Sequence, residues 1–400
     1  MTIRGDPFWA GVSIRCRKYW YGDMVDCEKF YQAIASQGVG LFTGVPDSLL
    51  KEICACITDQ AGSNQHMIAA NEGAAIGLAT GSFLATGNLA MVYMQNSGLG
   101  NAVNPLLSLS DSKVYSIPML MMIGWRGEPG VKDEPQHIKQ GEVTLELLDV
   151  MGIPYAVLPD TDEEAHSVLQ KIVGMARDLQ QPVALVVRKN TFKKYVAQST
   201  RFGSKNLTLT RERAIEIILG EISSDEPVVS STGMISREVY ECRDNNKQGH
   251  GQDFLTVGSM GHCSQIALGV AMMNQSKKVY CIDGDGAVIM HMGSLAIVGQ
   301  YKGANLIHIV VNNGKHDSVG GQPTVGFDID IPAVAKACGY QHAVSVNTED
   351  GILQEMAKSR EQEGVVLLEV CVLPGARPDL GRPVDEPIEN KRAFMDFLRP

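Results

Sequence analysis

Short hydrophobic runs alternate with amphipathic stretches along most of this chain, an order that is typical of parallel α/β architecture. Each apolar run predicts a strand, and the stretch that follows it predicts a helix. In the first half the predicted strands are 39–43, 66–70, 89–95, 117–124 and 183–187, and the clearest predicted helices are 72–86 and 161–179. The pattern therefore predicts a doubly wound parallel sheet.

The alternation stops at residues 190–208, which are polar and without periodicity, and then restarts. The second half has predicted strands at 227–231, 253–257, 278–283, 305–311 and 364–372, and predicted helices at 209–220, 263–273, 287–302 and 348–359. A further helix is expected after the proline-rich stretch 374–387. We therefore expect two doubly wound α/β domains, residues 24–189 and 209–400, joined by a linker at 190–208. Residues 1–23 are an extension of unknown role.

Composition narrows the range of functions. The 400 residues carry a formal net charge of −10, which disfavours a nucleic-acid partner. The longest apolar stretch, 114–125, is too short to span a membrane. The nine cysteines form no C-x-x-C pair, and scattered free thiols suit a reducing cytoplasm. We expect a cytoplasmic protein that binds a small molecule, and neither a nucleic acid nor a membrane.

The predicted helix 72–86 carries glycines at 73, 77 and 81, all on one stripe. Each glycine costs a helix about 1 kcal/mol relative to alanine. Three of them need compensation, either from a backbone or ligand packed very close or from a tight contact with another helix. The segment alone favours neither explanation.

The sharpest chemical signal lies in the second half. The predicted strand 278–283 runs into Gly284-Asp285-Gly286 and then a helix, and the predicted strand 305–311 ends in Asn312-Asn313, with 25 residues between the two motifs. Both strand ends lie on the carboxyl edge of a parallel sheet, where ligands of such folds bind. The two glycines let the backbone approach a diphosphate, and the helix that starts near Ala287 offers its amides to it. Asp285 and Asn313 supply hard oxygens, which Mg²⁺ prefers.

G-D-G, 25 residues and N-N together resemble the diphosphate signature of thiamine-diphosphate enzymes. The resemblance implies thiamine diphosphate and Mg²⁺ as cofactors. The implied cofactor contacts in this half are Thr232, Gly233, Met260, Gly284, Asp285, Gly286, Ala287 and Asn313, and the implied metal contacts are Asp285, Asn313 and Lys315. In this family a residue placed like Met260 is the apolar wedge that bends the cofactor.

The first half is similar to the pyrimidine-binding domain of the same family. Asn71-Glu72-Gly73-Ala74-Ala75 resembles the segment with the family's glutamate, and Gln95-Asn96-Ser97-Gly98 occupies the loop that approaches the pyrimidine. The resemblance makes Glu72 catalytic, with a carboxyl kept partly protonated, as burial would favour. A dinucleotide site is disfavoured, because the run from Gly98 to Val103 has valine where the third glycine of G-x-G-x-x-G belongs.

The short linker leaves no room for the third domain that larger members of the family insert. The segments 44–48, 124–130, 133–137 and 316–324 are similar to those of two-domain decarboxylases of anionic 2-oxo acids. The resemblance implies that the chain converts 3-phosphonopyruvate to phosphonoacetaldehyde and CO₂, as a step in phosphonate biosynthesis. Sulfopyruvate or another acidic 2-oxo acid is the alternative substrate. Because family members build the site between two subunits, we expect a homo-oligomer.

A multiply charged substrate needs well-placed cations in so acidic a chain. The loop after strand 117–124 and the residues after Asn313 offer them, and each charge-assisted contact contributes ~1.5–3 kcal/mol. The expected substrate contacts are Ser48, Arg126, Lys132, His137 and His316. A side chain must also hand a proton to the product, and the possible donors are His316, His262 and Asp47. We favour His316 because it lies beside the metal motif.

Overall fold

Two six-stranded sheets, one in each half of the chain, dominate the computed structural model, which describes residues 24–62, 64–198 and 207–399. All strand pairs in the first sheet are parallel. Its strands are β1 (Val39–Gly44), β2 (His66–Ile68), β3 (Leu89–Gln95), β4 (Leu120–Gly124), β5 (Tyr155–Val157) and β6 (Val183–Val187). They lie in the order β2-β1-β3-β4-β6-β5.

The second sheet is also wholly parallel. Its strands are β7 (Val228–Ser230), β8 (Asp253–Leu255), β9 (Val279–Gly284), β10 (Leu306–Asn312), β11 (His342–Val346) and β12 (Val365–Cys371). They lie in the order β8-β7-β9-β10-β12-β11. The second sheet therefore repeats the topology of the first, although the sequence contains no detectable repeat.

Helices cover both faces of each sheet, as the doubly wound prediction requires. In β3, Met91 and Tyr93 pack into one buried cluster, whereas Val92 and Met94 pack into another on the opposite face. The helices of the first half are α1 (Cys27–Ser36), α2 (Lys51–Gln60), α3 (Glu72–Thr86), α4 (Leu99–Pro105), α5 (Pro135–Val150) and α6 (Asp162–Leu179). Those of the second half are α7 (Arg211–Gly220), α8 (Met234–Asn245), α9 (Cys263–Met273), α10 (Asp285–Met290), α11 (Gly293–Gln300), α12 (Ile331–Cys338), α13 (Glu349–Glu361) and α14 (Pro387–Leu398).

Helix α3 has the bounds that the sequence predicts. The Asn71 side chain caps its first turn by accepting a hydrogen bond from the amide of Ala74 at 2.9 Å. Of its three glycines, Gly73 alone has the expected close neighbour, since a Cβ there would lie 3.0 Å from a backbone oxygen. Within the described residues, no atom lies within 4 Å of a Cβ placed at Gly77 or Gly81.

Some element predictions were wrong or incomplete. The single helix predicted at 287–302 is two helices, α10 and α11, interrupted at His291 and Met292. The edge strands β5 and β11 were missed because they are only partly buried, so neither shows a strong hydrophobic run. Helix α5 was missed because the Gly/Pro-rich loop before it hides where it begins.

The predicted extension at 1–23 and part of the predicted linker, positions 199–206, fall outside the described residues. The domain limits at 189 and 209 therefore stay a prediction. None of the helices in the described ranges has the length and hydropathy needed to cross a bilayer.

Candidate active site

One large cleft lies between the two domains, at the carboxyl ends of strands from both sheets. It has a volume of about 1310 Å³. The residues that end or follow β3, β4, β7, β9 and β10 line it, and they include Gln95, Trp125, Ser231, Asp285 and Asn313. This edge is where open parallel sheets bind ligands.

The structure brings most of the predicted site residues together in this cleft. Those that line it are Ser48, Gln95, Arg126, Lys132, His137, Thr232, Gly233, Met260, Gly284, Asp285, Gly286, Ala287, Asn313, Lys315 and His316. Among the described residues, four predicted site residues do not line it, namely Asp47, Glu72, Gly98 and His262. The predicted diphosphate, metal and substrate residues thus share one space.

Asp285 is buried at the start of α10, directly after β9. Burial raises the pKa of this carboxyl to about 6, although hydrogen bonds from Thr324 and from the amides of Asn313 and Gly286 act to lower it. Thr324 Oγ1 donates to Asp285 Oδ2. Burial makes the negative charge of this carboxylate unfavourable. Because the carboxylate faces a cleft, a bound cation could compensate that charge.

Gly326 makes room for this carboxylate. A Cβ at position 326 would lie 2.4 Å from Asp285 Oδ2 and 2.7 Å from Asn312 Oδ1. The side chain of Asn312 is fully buried and donates to Glu369 Oε1 at 2.7 Å, so the first asparagine of N-N fixes the loop. Gly326 and Glu369 could not be predicted from the sequence, because both follow the motif at distances that no periodicity marks. Thr324 ends the segment 316–324, but no role could be predicted for it.

Asn313 offers the second predicted metal oxygen. Its Oδ1 accepts from the amide of Lys315 at 3.0 Å, and its Nδ2 donates to Asp317 Oδ2 at 2.7 Å. Asp317 is held in turn by Arg211 at 2.8 Å. Asp285 and Asn313 both present hard oxygen atoms to the cleft, which fits Mg²⁺ rather than a softer metal.

Met260 projects into the cleft from a constrained turn. Ser259 has φ +53° and Gly261 has φ +86°, so both neighbours of Met260 adopt left-handed backbone. That conformation is uncommon for serine and is favoured at functional sites. A Cβ atom added at Gly286 would lie 3.4 Å from Met260 Cε, so this methionine packs against the G-D-G loop.

The Thr232-Gly233 loop faces the same space from β7. Gly233 has φ +98° and precedes the first residue of α8. The backbone therefore turns sharply there and directs the amides at the start of α8 toward the cleft. Helix α8 runs for 12 residues, long enough to contribute its dipole.

Glu72 lies behind the cleft wall. It is the first residue of α3 and is 5% exposed. Its Oε2 accepts a hydrogen bond from Asn101 Nδ2 at 2.8 Å. Gly98 leaves room for the carboxylate, because a Cβ there would lie 2.4 Å from Glu72 Oε1. Since Gln95 and Ser97 line the cleft, the 95–98 loop has one side toward Glu72 and the other toward the cleft.

The start of α3 is also anchored on the second domain. Asn71 Nδ2 donates to the backbone oxygen of Met290 at 3.1 Å. His291 follows, and its ring lies 4.5 Å from that of His262, centroid to centroid. His262 is exposed and lies on this anchor rather than in the cleft. The structure thus separates two of the predicted catalytic residues, Glu72 and His262, from His316.

Gln95 lines the cleft and has one unsatisfied polar atom. Its Oε1 is buried and has no hydrogen-bond partner among the described residues. Such an orphan is costly unless a ligand or water satisfies it. The position suits a heterocyclic ring with N–H donors, as the thiamine pyrimidine would provide.

Arg126 follows β4 and is bound tightly on one side. Its Nε and Nη2 form a bidentate pair with Asp133 at 2.8 and 2.5 Å, and its Nη1 donates to Ser48 Oγ at 2.8 Å. The pair holds the pKa of Asp133 well below its usual range. Asn96, which the sequence analysis missed as a positioning residue, clamps the Arg126 backbone through both its amide atoms at 2.8 and 3.2 Å. Arg126 is therefore fixed in place, with most of its charge compensated.

The other predicted substrate residues differ in exposure. Lys132 is exposed at the mouth of the cleft. His137 is buried on α5, and burial and the nearby Arg126 lower its pKa to about 4, so it is neutral at pH 7. Its Nδ1 has no partner within the described residues. His137 therefore offers a neutral polar atom rather than a positive charge.

His316 packs directly on the G-D-G loop. A Cβ atom added at Gly286 would lie 2.9 Å from His316 Cε1. Burial lowers the pKa of His316 to about 4, although the nearby Asp317 opposes the shift. The imidazole is therefore neutral at pH 7, and an anionic ligand beside it would favour its protonated form. Burial also lowers the pKa of Lys315 next to it.

Asp47 is buried beneath the substrate residues. The pKa of its carboxyl is raised to about 6 by burial. Its Oδ2 accepts from the amide of Leu49 at 2.9 Å, and its Oδ1 has no partner among the described residues. The neighbouring Ser48 accepts from Arg126 at 2.8 Å. Asp47 thus lies next to the cleft but does not face it.

Comparison with known proteins agrees with this geometry. Residues 27–150 match the family described as thiamine pyrophosphate enzyme, N-terminal TPP binding domain, and residues 231–370 match the corresponding C-terminal TPP binding domain. The first match contains α3 and the 95–98 loop. The second contains both cofactor motifs of the cleft.

Three curated relatives are similar over most of the chain. A phosphonopyruvate decarboxylase of Streptomyces viridochromogenes is 36% identical over 375 residues, which cover 90% of this chain and 92% of the relative. A phosphonopyruvate decarboxylase of Streptomyces hygroscopicus is 34% identical and covers 90% of each chain. A sulfopyruvate decarboxylase of Methanosarcina acetivorans is 28% identical and covers 81% of this chain and 85% of the relative.

Proposed function

Because the chain belongs to the phosphonopyruvate decarboxylase family of thiamine pyrophosphate enzymes, we propose that it converts 3-phosphonopyruvate to phosphonoacetaldehyde and CO₂. The reaction consumes one proton and fits a step in phosphonate biosynthesis. One observation carries the proposal: the buried Asp285 and the arginines of the β4–α5 loop and α8 face the same cleft. A diphosphate–metal site and a receptor for an anionic substrate therefore share one space.

The cofactors of the proposed reaction are thiamine diphosphate and Mg²⁺. Asp285, Asn313 and the backbone of Lys315 would hold the metal. Thr232, Gly233, Gly284, Gly286 and Ala287 would hold the diphosphate, with Gln95, Gly98 and Met260 along the rest of the cofactor. Bound thiamine diphosphate supplies an electron sink for the pair left when CO₂ departs. The unsatisfied Oε1 of Gln95 and the space that Gly326 leaves beside Asp285 support this fit.

The chain's own residues must bind the anion and move one proton. Ser48, Arg126, Lys132 and His137, which line the cleft, would contact the substrate. Glu72 does not line the cleft of its own chain, so it would act on the pyrimidine of a cofactor shared with a second copy in the proposed homo-oligomer. His316 would donate the proton, since it lies against the G-D-G loop and gains affinity for a proton when an anion binds. A His316→Ala variant should lose most of kcat with little change in thermal stability, and retention of full kcat would exclude this role.

A second substrate deserves a direct comparison. A sulfonate has the same three-oxygen anionic head as a phosphonate, and one relative carries the name sulfopyruvate decarboxylase. We expect kcat/KM to be highest for 3-phosphonopyruvate, then for sulfopyruvate, and lowest for pyruvate, which has no anionic tail. A higher kcat/KM for sulfopyruvate would transfer the proposal to that substrate.

We also propose that the active protein is a homo-oligomer. The stripe formed by Gly77 and Gly81 on α3 is exposed, and Leu84 beside it is 71% exposed. A second copy packed there would provide the close contact that these glycines lack within the described chain. Light scattering at assay concentration should give at least twice the mass of one chain, and a monomer with full activity would contradict this part.

A further inference from the structure

Four arginines line the cleft, and the structure compensates the charge of three of them. Arg126 pairs with Asp133 at 2.5 Å, Arg211 pairs with Glu238 at 2.7 Å, and Arg382 pairs with Glu134 at 2.6 Å. Arg237 is the exception, since it forms no ion pair with a carboxylate of the described residues. It is only partly exposed. A guanidinium withdrawn from water without a partner is costly, unless an anion binds there.

Arg237 lies near a second guanidinium of the cleft. It lies in the first turn and a half of α8, after Gly233. The charged side chains that act on it are Arg382, which lowers its pKa together with burial, and Glu134, which raises it. Because Glu134 is already engaged by Arg382, two guanidiniums share one carboxylate. Within the described residues, Arg237 therefore has no carboxylate that pairs with it alone.

Arg237 lies close enough to the first domain for Glu134 to act on its charge. Glu134 caps α5 at the end of the β4–α5 loop, which is the loop that carries Arg126 and Lys132. Asp317, beside the metal motif, pairs with Arg211 instead. Arg237 therefore lies on the side of α8 that approaches the loop with the predicted substrate residues.

We propose that Arg237 is the receptor for the anionic tail of the substrate, the three-oxygen phosphonate or sulfonate group. The proposal rests on the proposed function for the identity of that substrate. A guanidinium presents two parallel N–H donors, which match two oxygens of such a head group. Arg126, already bidentate to Asp133, then positions the loop and Ser48 rather than supplying the main charge. A lysine would keep the charge but lose the paired geometry.

The test compares Arg237→Gln with the wild type as holoenzyme, with steady-state decarboxylation of 3-phosphonopyruvate and of pyruvate. We expect KM for 3-phosphonopyruvate to rise about 10- to 100-fold, the range for one charge-assisted hydrogen-bonded contact, and KM for pyruvate to change less than threefold. KM of Arg237→Lys for 3-phosphonopyruvate should lie between the values of the wild type and of Arg237→Gln. The control is Arg213→Gln, which removes an exposed arginine of the same domain that pairs with Glu349 outside the cleft. Equal changes for both substrates would overturn the proposal.

Two binding measurements distinguish this proposal from a role of Arg237 in cofactor binding and from failure of the proposed function. Phosphonoacetate binding to the cofactor-loaded protein, followed by isothermal titration calorimetry, should weaken at least tenfold in Arg237→Gln and not in Arg213→Gln. Unchanged phosphonoacetate binding together with weaker thiamine diphosphate binding would assign Arg237 to the cofactor instead. If the wild type does not decarboxylate 3-phosphonopyruvate but phosphonoacetate binding still depends on Arg237, the proposed function fails while the anion site stands.

Discussion

The Gly98→Ala substitution tests whether the structure places Glu72 correctly. The backbone at position 98 has φ −71°, so alanine is conformationally acceptable there. The obstacle is steric. The new Cβ would lie 2.4 Å from Glu72 Oε1 and 2.6 Å from its Cγ, whereas real Cβ atoms essentially never approach closer than 3.0 Å. The Glu72 carboxylate must therefore retreat by at least about 0.6 Å, and its 2.8 Å hydrogen bond with Asn101 is strained or lost.

This displacement should lower activity more than stability. Misplacing a catalytic group by ~1 Å can cost about 100-fold in rate, so we expect kcat to fall by roughly 10- to 100-fold at saturating cofactor and substrate. Overpacking of this kind costs about 1–3 kcal/mol of folding free energy. The assay is CO₂ release from 3-phosphonopyruvate, with thermal unfolding measured on the same preparation.

Gly100→Ala is the matched control. Gly100 lies in the same segment, and among the described residues nothing lies within 4 Å of a Cβ placed there. It should retain the wild-type kcat. If Gly98→Ala and Gly100→Ala behave alike, Glu72 is either not catalytic or not held against position 98, and the reasoning is refuted.

Three further substitutions extend the account. Because burial raises the pKa of Asp47 to about 6, the free energy of unfolding of the wild type falls as the pH rises through 6. Asp47→Asn lacks this loss, so between pH 5 and pH 8 its free energy of unfolding in urea should rise by about 1 kcal/mol relative to that of the wild type. Parallel pH profiles of the two proteins would contradict this. Gly326→Ala should displace the Asp285 carboxylate and raise the Mg²⁺ concentration for half-maximal activity by about tenfold or more, whereas Gly293→Ala, with open space around it, should not. Arg126→Ala should raise KM for 3-phosphonopyruvate more than KM for pyruvate, and equal increases would remove Arg126 from substrate recognition.

The sequence was most informative where polar motifs directly follow predicted strands. G-D-G after one strand and N-N after the next located the edge of the second sheet, and the structure places Asp285 and Asn313 in the same cleft. Helix α3 could be bounded because Asn71 caps it and glycine follows it. Such local signals need no knowledge of tertiary packing.

The pairing of charges could not be predicted in this way. Sequence spacing suggested a cluster of free cations after β4, but the structure pairs Arg126 with Asp133 seven residues later and leaves Arg237, in the other domain, without a carboxylate partner in the described chain. The repeated sheet topology was also hidden, because strand order depends on long-range pairing and the edge strands are short. The position of Glu72 behind the 95–98 loop likewise depends on how two segments pack.

The central claim is tested most directly by CO₂ release from 3-phosphonopyruvate by the purified protein, with and without thiamine diphosphate plus Mg²⁺. The account predicts release that requires both cofactors, falls strongly in Glu72→Gln, and yields phosphonoacetaldehyde in equal amount to CO₂. No release by a protein that demonstrably binds thiamine diphosphate would contradict the assigned substrate. Release that does not depend on the cofactors would contradict the reaction assigned to this cleft.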